Sequence, residues 1–368
     1  MYKVEKNMTK VFTTLLLALL PMCSLGGVAG ASRLVKPSDA GITYGGRWIK
    51  FNDKVYRTGR GAAYLEVNFT GNSIGAFIDD KNQEIFWLAR IDNGHLQRFQ
   101  TYDAITPLGN ELGKGKHKLL LLRDTEGMAG NTDFGGLVLA KDGQLLPPDP
   151  KPKYKLEFLG DSITAGAYNL GRENAEYPTY MAAESSYLAF GPKLARLLGA
   201  EYSVIAASGE GVVHNCGEFG YTSDCHALDN YLRSYYITPS PAWQESGREP
   251  DAIILNHGAN DFIDYPTLDK ELFTKGYQQL LATIRSKHPT SAILCVSPVP
   301  PVEDRLASPL IAQAVQAMGD KNMYYVPLNK DKPLLLAEDY GSDKTHPLAR
   351  GHEKIASFLY PILTRILK

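Results

Sequence analysis

The sequence predicts two folded parts in series, an all-β sandwich or jelly roll followed by an α/β domain on a five-stranded parallel sheet. Three observations predict this. Between Tyr44 and Ala140 short apolar runs alternate with Gly, Asn and Asp turns, and helical periodicity is nearly absent. Residues 146–153, LPPDPKPK, carry four prolines in eight positions. From Leu156 onward, apolar strands alternate with amphipathic helical stretches.

In the front part the expected strands are Ala62–Phe69, Ser73–Ile78, Ile85–Ile91, His117–Arg123 and Phe134–Ala140. Many strands at short spacing with turn residues between them favour a sandwich, because each strand has one face to bury against a second sheet. The proline-rich stretch then serves as an extended, stiff connection. The boundaries expected are 32–145 for the sandwich, 146–153 for the linker and 154–368 for the α/β domain.

In the second part the strands are expected at Leu156–Leu159, Tyr202–Ala206, Ala252–Asn256, Ala292–Val296 and Met323–Val326. They are short apolar runs bounded by turn signals, as strands buried on both faces require. A helical stretch ending at Leu188, Leu194, Leu197 and Leu198 follows the first of them. The chain closes on a helix from about Leu348, where Ile355, Leu359, Ile362, Leu363 and Ile366 recur at three- and four-residue spacing.

The chain has 368 residues, 44% hydrophobic and 21% charged, which suffices for two cores and excludes a disordered protein. A formal net charge of -1 offers no basic patch for nucleic acid or anionic lipid. Lys3, Lys6 and Lys10 lead into the apolar run Val11–Met22, and Ala29-Gly30-Ala31 provides a small-residue cleavage site. Residues 1–31 therefore read as a cleaved export leader. Lipid anchoring at Cys23 ranks second, since Met22 stands where a small residue is wanted. After the leader no stretch has the length of a membrane span. In an oxidising compartment Cys216 and Cys225, close together in one glycine-rich loop, form the obvious disulfide pair. A zinc set of His214, Cys216, Cys225 and His226 is the lesser alternative, its spacing matching no familiar finger.

Four segments carry chemistry. Gly160-Asp161-Ser162 follows the first strand of the second part directly, so Ser162 sits where strand turns to helix and its hydroxyl is presented beyond the sheet's carboxyl edge. The bland reading of Ser162 is a helix N-cap. Ala207-Ser208-Gly209-Glu210-Gly211 follows the second strand, with a backbone N–H at Gly209 that no side chain screens. Gly258-Ala259-Asn260-Asp261 follows the third and adds the amide of Asn260. With the N–H of Ser162 these make an oxyanion hole. Either segment alone reads equally well as an ordinary turn. Asp343-Lys344-Thr345-His346 precedes the last helix and supplies a base, His346, with Asp343 to fix its tautomer. His352 reads as a packing residue, and His257 ends a buried strand.

Together, GDSITAG, ASGEG, GAND and DKTH resemble the four sequence blocks of the SGNH, or GDSL-type, hydrolases. The resemblance covers residues 154–368 and implies a three-layer α/β/α domain. It implies Ser162 as nucleophile, Gly209 and Asn260 as oxyanion donors, His346 as general base and Asp343 as its orienting acid; in some members a backbone carbonyl replaces that acid. The two-part plan, with Gly59–Phe69, LLLLRDTEG and Asn260-Asp261-Phe262, is similar to the family 2 carbohydrate esterases, in which a jelly roll precedes the hydrolase. Some of those carry an aromatic residue close before the histidine, where Lys344 and Thr345 stand here.

That family removes acetyl groups from xylan and glucomannan, so the resemblance implies a serine esterase acting on acetylated plant cell-wall polysaccharide, without metal or organic cofactor. The expected partner is the acetylated polysaccharide or oligosaccharide. A lipase or thioesterase with the same machinery, and a non-catalytic carbohydrate-binding protein, are the competing expectations. Tyr177, Tyr180 and Trp243 are aromatic residues able to form a sugar platform, though buried or scattered aromatics are the commoner outcome.

Overall fold

The computed structural model describes residues 32–80, 84–172, 174–218, 223–245 and 247–368. The leader expected over 1–31, with Cys23, lies outside the described residues. The front part is a sandwich of two antiparallel sheets. One runs Ile49–Asn52, Val55–Thr58, Thr132–Leu139, Ile74–Asp80, Thr106–Gly109, with Arg33–Val35 also paired to Thr132–Leu139. The other runs Ile42–Gly45, Tyr64–Thr70, Lys116–Arg123, Trp87–Ile91, Gln97–Phe99. The five strands expected from sequence are all present. Those not foreseen have three or four residues and mixed polarity, too short for a period of two to register.

The run Leu119–Leu122 explains how this part meets the next. Successive side chains on a strand point to opposite faces. Leu119 and Leu121 enter the sandwich core with Phe69, Trp87 and Phe134. Leu120 and Leu122 face the other way and join a second core with Tyr64, Leu156, Phe158 and Tyr202. The strand is apolar throughout because both its faces are buried. The rings of Tyr64 and Tyr202 lie 4.8 Å apart across this contact.

Residues 146–153 run extended, as their prolines dictate, but they are laced to the sandwich rather than free. The Leu146 N–H donates to the Asn68 carbonyl at 2.7 Å, Asn68 Nδ2 donates to the Pro147 carbonyl at 3.1 Å, and Lys118 Nζ pairs with Asp149 at 2.9 Å.

The second part is a parallel sheet in the order Glu201–Ala206, Lys155–Gly160, Ala252–Asn256, Ala292–Val296, Met323–Val326. Helices Phe190–Leu198 and Ala349–Ile366 cover one face over Leu156, Phe158 and Ile254; Lys270–Lys287 and Pro301–Met318 cover the other over Leu159, Ile253 and Leu255. The first strand in sequence is second in space, flanked by the next two. This order opens the crevice beyond the carboxyl ends of three adjacent strands, where α/β proteins bind ligands. Among the described residues no helix is long and apolar enough to cross a membrane.

Candidate active site

Strand Lys155–Gly160 is buried from end to end and turns at Gly160-Asp161 into the short helix Ser162–Ala165. Only glycine fits at 160, because a Cβ there would stand 1.9 Å from Thr164 Oγ1 and 2.9 Å from the Asn256 carbonyl. Asp161, not Ser162, is the N-cap, its carboxylate accepting the Ile163 N–H at 2.9 Å. Burial pushes the Asp161 carboxyl up to about 6, with His257, the cap bond and His346 pulling it down. Ser162 is the first residue of the helix, and its hydroxyl is left for other partners.

That partner is His346. Its loop is pinned on both sides: the Gly341 N–H donates to the His346 carbonyl at 2.9 Å, and the Ala349 N–H donates to the Asn169 carbonyl at 2.9 Å. Nδ1–H of His346 donates to Asp343 Oδ2 at 2.8 Å, which leaves Nε2 to accept the Ser162 hydroxyl at 2.9 Å. Asp343 Oδ1 accepts the N–H of Thr345 at 3.0 Å and of His346 at 3.1 Å. Against the upward push of burial, the His346 ring and these backbone donors hold the Asp343 carboxyl well below the ordinary carboxylate range. A carboxylate therefore sits on the ring nitrogen, and it stays charged.

The three strand ends next to one another bring the remaining residues together. Gly209 lies beyond Glu201–Ala206 with φ +77°, in the left-handed region where glycine is favoured. Asn260 opens the short helix Asn260–Ile263 beyond Ala252–Asn256 and is buried. One hydrogen of its amide goes to the Glu210 carbonyl at 3.0 Å, which fixes the side chain.

Sequence reasoning missed three residues here. Asp261 is fully buried and accepts the N–H of Val212 at 3.0 and 2.9 Å, of Val213 at 2.9 Å and of His214 at 3.2 Å, clamping the loop that carries Gly209. Its place beside Asn260 was the only available signal. Tyr168, at φ +51°, sets its ring edge-on to His346 at 5.4 Å. The aromatic neighbour of the histidine thus comes from the segment after the serine. Arg172 lies over Tyr168 at 5.1 Å and 3.8 Å from Asp343 Oδ2. Of the aromatics considered as a platform, Tyr180 stands near the site, its ring 4.8 Å from Tyr168 and its hydroxyl on Ser208. Trp243 packs instead under Arg47 at 5.0 Å, and Tyr177 lies on the segment near Gly171.

The expected Cys216–Cys225 disulfide is not formed; both are free thiols. The Cys216 N–H donates to the Gly209 carbonyl at 2.9 Å and its side chain faces Asp264, whereas Cys225 is buried before helix Ala227–Leu232. The loop closes on Glu218 in place of a crosslink. That carboxylate accepts Asn215 N–H at 3.1 Å, Asn215 Nδ2 at 3.0 Å and Ser223 N–H at 2.8 Å, with His226 Nε2 at 3.2 Å. Among the described residues no group of three or more His, Cys, Asp or Glu is arranged to hold a metal ion. His352 is buried, stacked on Phe190 at 6.4 Å, and His257 Nε2 lies 3.3 Å from Glu210.

A cleft of about 690 Å³ is an apolar groove between the last strand and the C-terminal helix, lined by residues such as Tyr324, Phe358 and Ile362. It holds none of the four segments. The hydrogen-bonded serine and histidine mark the candidate chemistry better than cavity size does.

Residues 158–354 match the sequence profile of the GDSL-like lipase/acylhydrolase family, and residues 44–149 match that of the carbohydrate esterase 2 N-terminal domain. The chain is 29% identical over 259 residues to the cellulase/esterase CelE of Acetivibrio thermocellus, covering 69% of this chain and 31% of that protein. It is 30% identical over 203 residues to an acetylxylan esterase / glucomannan deacetylase of Cellvibrio japonicus, covering 55% of this chain and 54% of that one. The chain thus spans about a third and about half of these two relatives. A family two carbohydrate esterase from Clostridium thermocellum, solved in complex with cellohexaose, superposes with TM-score 0.79 at 27% identity, over 89% of this chain and 99% of that one. With the profile match extending over more than half its residues, the chain belongs to the GDSL-like lipase/acylhydrolase family.

Proposed function

We propose that this protein is an exported esterase that removes O-acetyl groups from plant cell-wall polysaccharide, xylan or glucomannan, through a serine acyl-enzyme. The observation that carries the reading is the line Ser162 Oγ, His346 Nε2, His346 Nδ1, Asp343 Oδ2, with hydrogen bonds of 2.9 and 2.8 Å. A serine hydroxyl is a poor nucleophile at neutral pH unless a neighbouring base takes its proton, and this imidazole is placed and oriented to do so. The acetylated-polysaccharide substrate is taken from the curated relatives, and the division into a sandwich, a linker and a catalytic domain follows the boundaries given above.

In the proposed reaction His346 Nε2 takes the Ser162 proton as Oγ attacks the acetyl carbonyl. The oxyanion is met by the N–H groups of Ser162 and Gly209 and the free hydrogen of the Asn260 amide. His346 then gives its proton to the departing sugar oxygen. A water molecule deprotonated by His346 attacks the acetyl-enzyme, the adduct collapses as His346 returns that proton to Ser162 Oγ, and acetic acid leaves, ionising in water to acetate. Every proton moves among serine, histidine, sugar and water, so the scheme calls on no cofactor.

The test is acetate release from acetylated xylan and acetylated glucomannan by the purified protein, with Ser162→Ala beside it. Release by the wild type alone supports the proposal. Faster cleavage of p-nitrophenyl octanoate than of the acetate ester would move the enzyme to a lipase or thioesterase role. Retention on polysaccharide without hydrolysis of any ester would make it a binding protein.

A further inference from the structure

Glu126 belongs to the sandwich part, just beyond strand Lys116–Arg123, yet its carboxylate ends inside the catalytic part. It is 1% exposed. Its two oxygens take both protons that Ser208 offers, Oε2 the backbone N–H at 2.7 Å and Oε1 the hydroxyl at 2.6 Å. Ser208 is the residue before Gly209, so the anchored groups border the peptide whose N–H is the Gly209 oxyanion donor. The far side of Gly209 is tied as well, its carbonyl accepting the Cys216 N–H at 2.9 Å.

Glu126 is itself held fast. Its N–H donates to Glu184 Oε1 at 2.6 Å, and its carbonyl accepts Arg123 Nη2 at 3.1 Å. The Tyr180 hydroxyl meets the same Ser208 oxygen from the rim of the site. A buried carboxylate is an expensive way to join two parts that already share an apolar core, and well-packed hydrophobic residues serve that purpose as well or better. What a carboxylate adds is direction. Two hydrogen bonds to one residue fix its orientation as no apolar contact does.

We propose that Glu126 is a positioning residue for catalysis, through which the sandwich part aims the Gly209 N–H at the oxyanion. The inference rests on the catalytic reading above, and it gives the front part a task in turnover. Electrostatic stabilisation of this kind works through donors fixed before the charge develops. A Gly209 peptide free to rotate would bind substrate as before and stabilise the transition state less.

The experiment compares Glu126→Gln, Ser208→Ala and Ser162→Ala with wild type in full-length protein, using p-nitrophenyl acetate and a boronic acid that forms a tetrahedral anion on the serine. In Glu126→Gln one accepting oxygen becomes an amide donor, so Ser208 can keep only one of its two donor bonds to this side chain. The expected result is kcat lower by about 10- to 100-fold with KM within about twofold. The boronate Ki should rise by the same factor as kcat/KM falls. Ser208→Ala, which removes one hydroxyl and leaves the core unchanged, should shift kcat and Ki together in the same direction by a smaller factor. Folded Glu126→Gln with wild-type kcat and Ki overturns the proposal. Should Glu126→Gln fail to fold, Ser208→Ala with unchanged kcat and Ki overturns it. Full activity in Ser162→Ala would instead remove the catalytic reading, whereas an inactive Ser162→Ala beside wild-type behaviour of the other two removes this inference alone.

Discussion

Asp343 holds His346 twice, Oδ2 on the ring Nδ1–H at 2.8 Å and Oδ1 on the backbone N–H at 3.1 Å. One carboxylate thus fixes the ring's tautomer and the loop that carries it. Three residues of separation make this double contact local, so it forms with the turn itself.

Replacing Asp343 by Asn leaves the shape and removes the charge. The amide can set a donor against Nδ1–H, favouring the tautomer in which Nε2 no longer accepts the Ser162 proton. We expect kcat to fall by about 10²-fold or more, with KM little changed. Because the carboxyl is held well below its ordinary range, it stays ionised at pH values where the base is protonated. Asp343 should therefore add no ionisation of its own to the acid limb of log kcat/KM against pH, and the steepness of that limb should be the same in Asp343→Asn as in wild type. A limb that becomes shallower in the variant would show Asp343 titrating within that range.

In the proposed reaction Asn260→Ala removes one oxyanion donor. The loss expected is on the order of 10²-fold in kcat, and KM for short esters should hold. Near-normal turnover would take Asn260 out of the site and leave its bond to the Glu210 carbonyl as its only role.

Asp261→Asn tests the clamp on the loop that carries Gly209. An amide nitrogen in place of one oxygen would face the N–H groups of Val212, Val213 and His214. A buried donor left against donors costs about 1–3 kcal/mol, which urea unfolding should register. Amide exchange at 212–214 should quicken at the same time. An unchanged midpoint with unchanged exchange would mean that the loop is held by other contacts.

The cysteines give a prediction opposite to the one the sequence suggests. Partial burial and the Asp264 carboxylate push the Cys216 thiol up to about 11, and burial and Glu210 push Cys225 up to about 12. Thiols with so little thiolate at neutral pH oxidise slowly. Denatured protein should yield a free thiol for each of Cys216, Cys225 and Cys295, and reduction should leave its migration and Tm unchanged. Loss of two thiols on export would restore the crosslink.

These outcomes separate what sequence shows from what it hides. The five parallel strands were legible because strands buried on both faces are continuous apolar runs, and the placement of Ser162, Gly209 and Asn260 beyond strand ends was legible because each follows such a run at a turn. Contacts made across the chain were not. Glu126 lies 82 positions from Ser208 and Asp261 lies 49 from Val212; neither residue carries a local pattern, since what defines it is a backbone N–H supplied by another element. The cysteine pairing failed for a related reason. Nearness in sequence fixes the loop length, but Glu218 closes that loop, while Cys216 faces Asp264 and Cys225 is buried before helix Ala227–Leu232.

His352 allows a test by pH that does not touch the chemistry. It is fully buried, its Nδ1 accepts the Phe190 N–H at 3.2 Å, and burial, with help from Lys193 and His346, lowers it from 6.5 to about 3. Between those values the unfolded chain binds a proton at this residue that the folded chain does not. Its contribution to stability is therefore complete above about pH 6.5 and declines at about 1.4 kcal/mol per pH unit down to about pH 3. In His352→Asn the side-chain oxygen, at the place of Nδ1, can still accept from Phe190 and nothing titrates. Plotted against pH, wild-type minus variant unfolding free energy should be flat above pH 7 and fall below 6.5 with that slope, the other ionisations cancelling in the difference. A flat difference down to pH 4 would mean that the imidazole is protonated in the fold or has gained access to water.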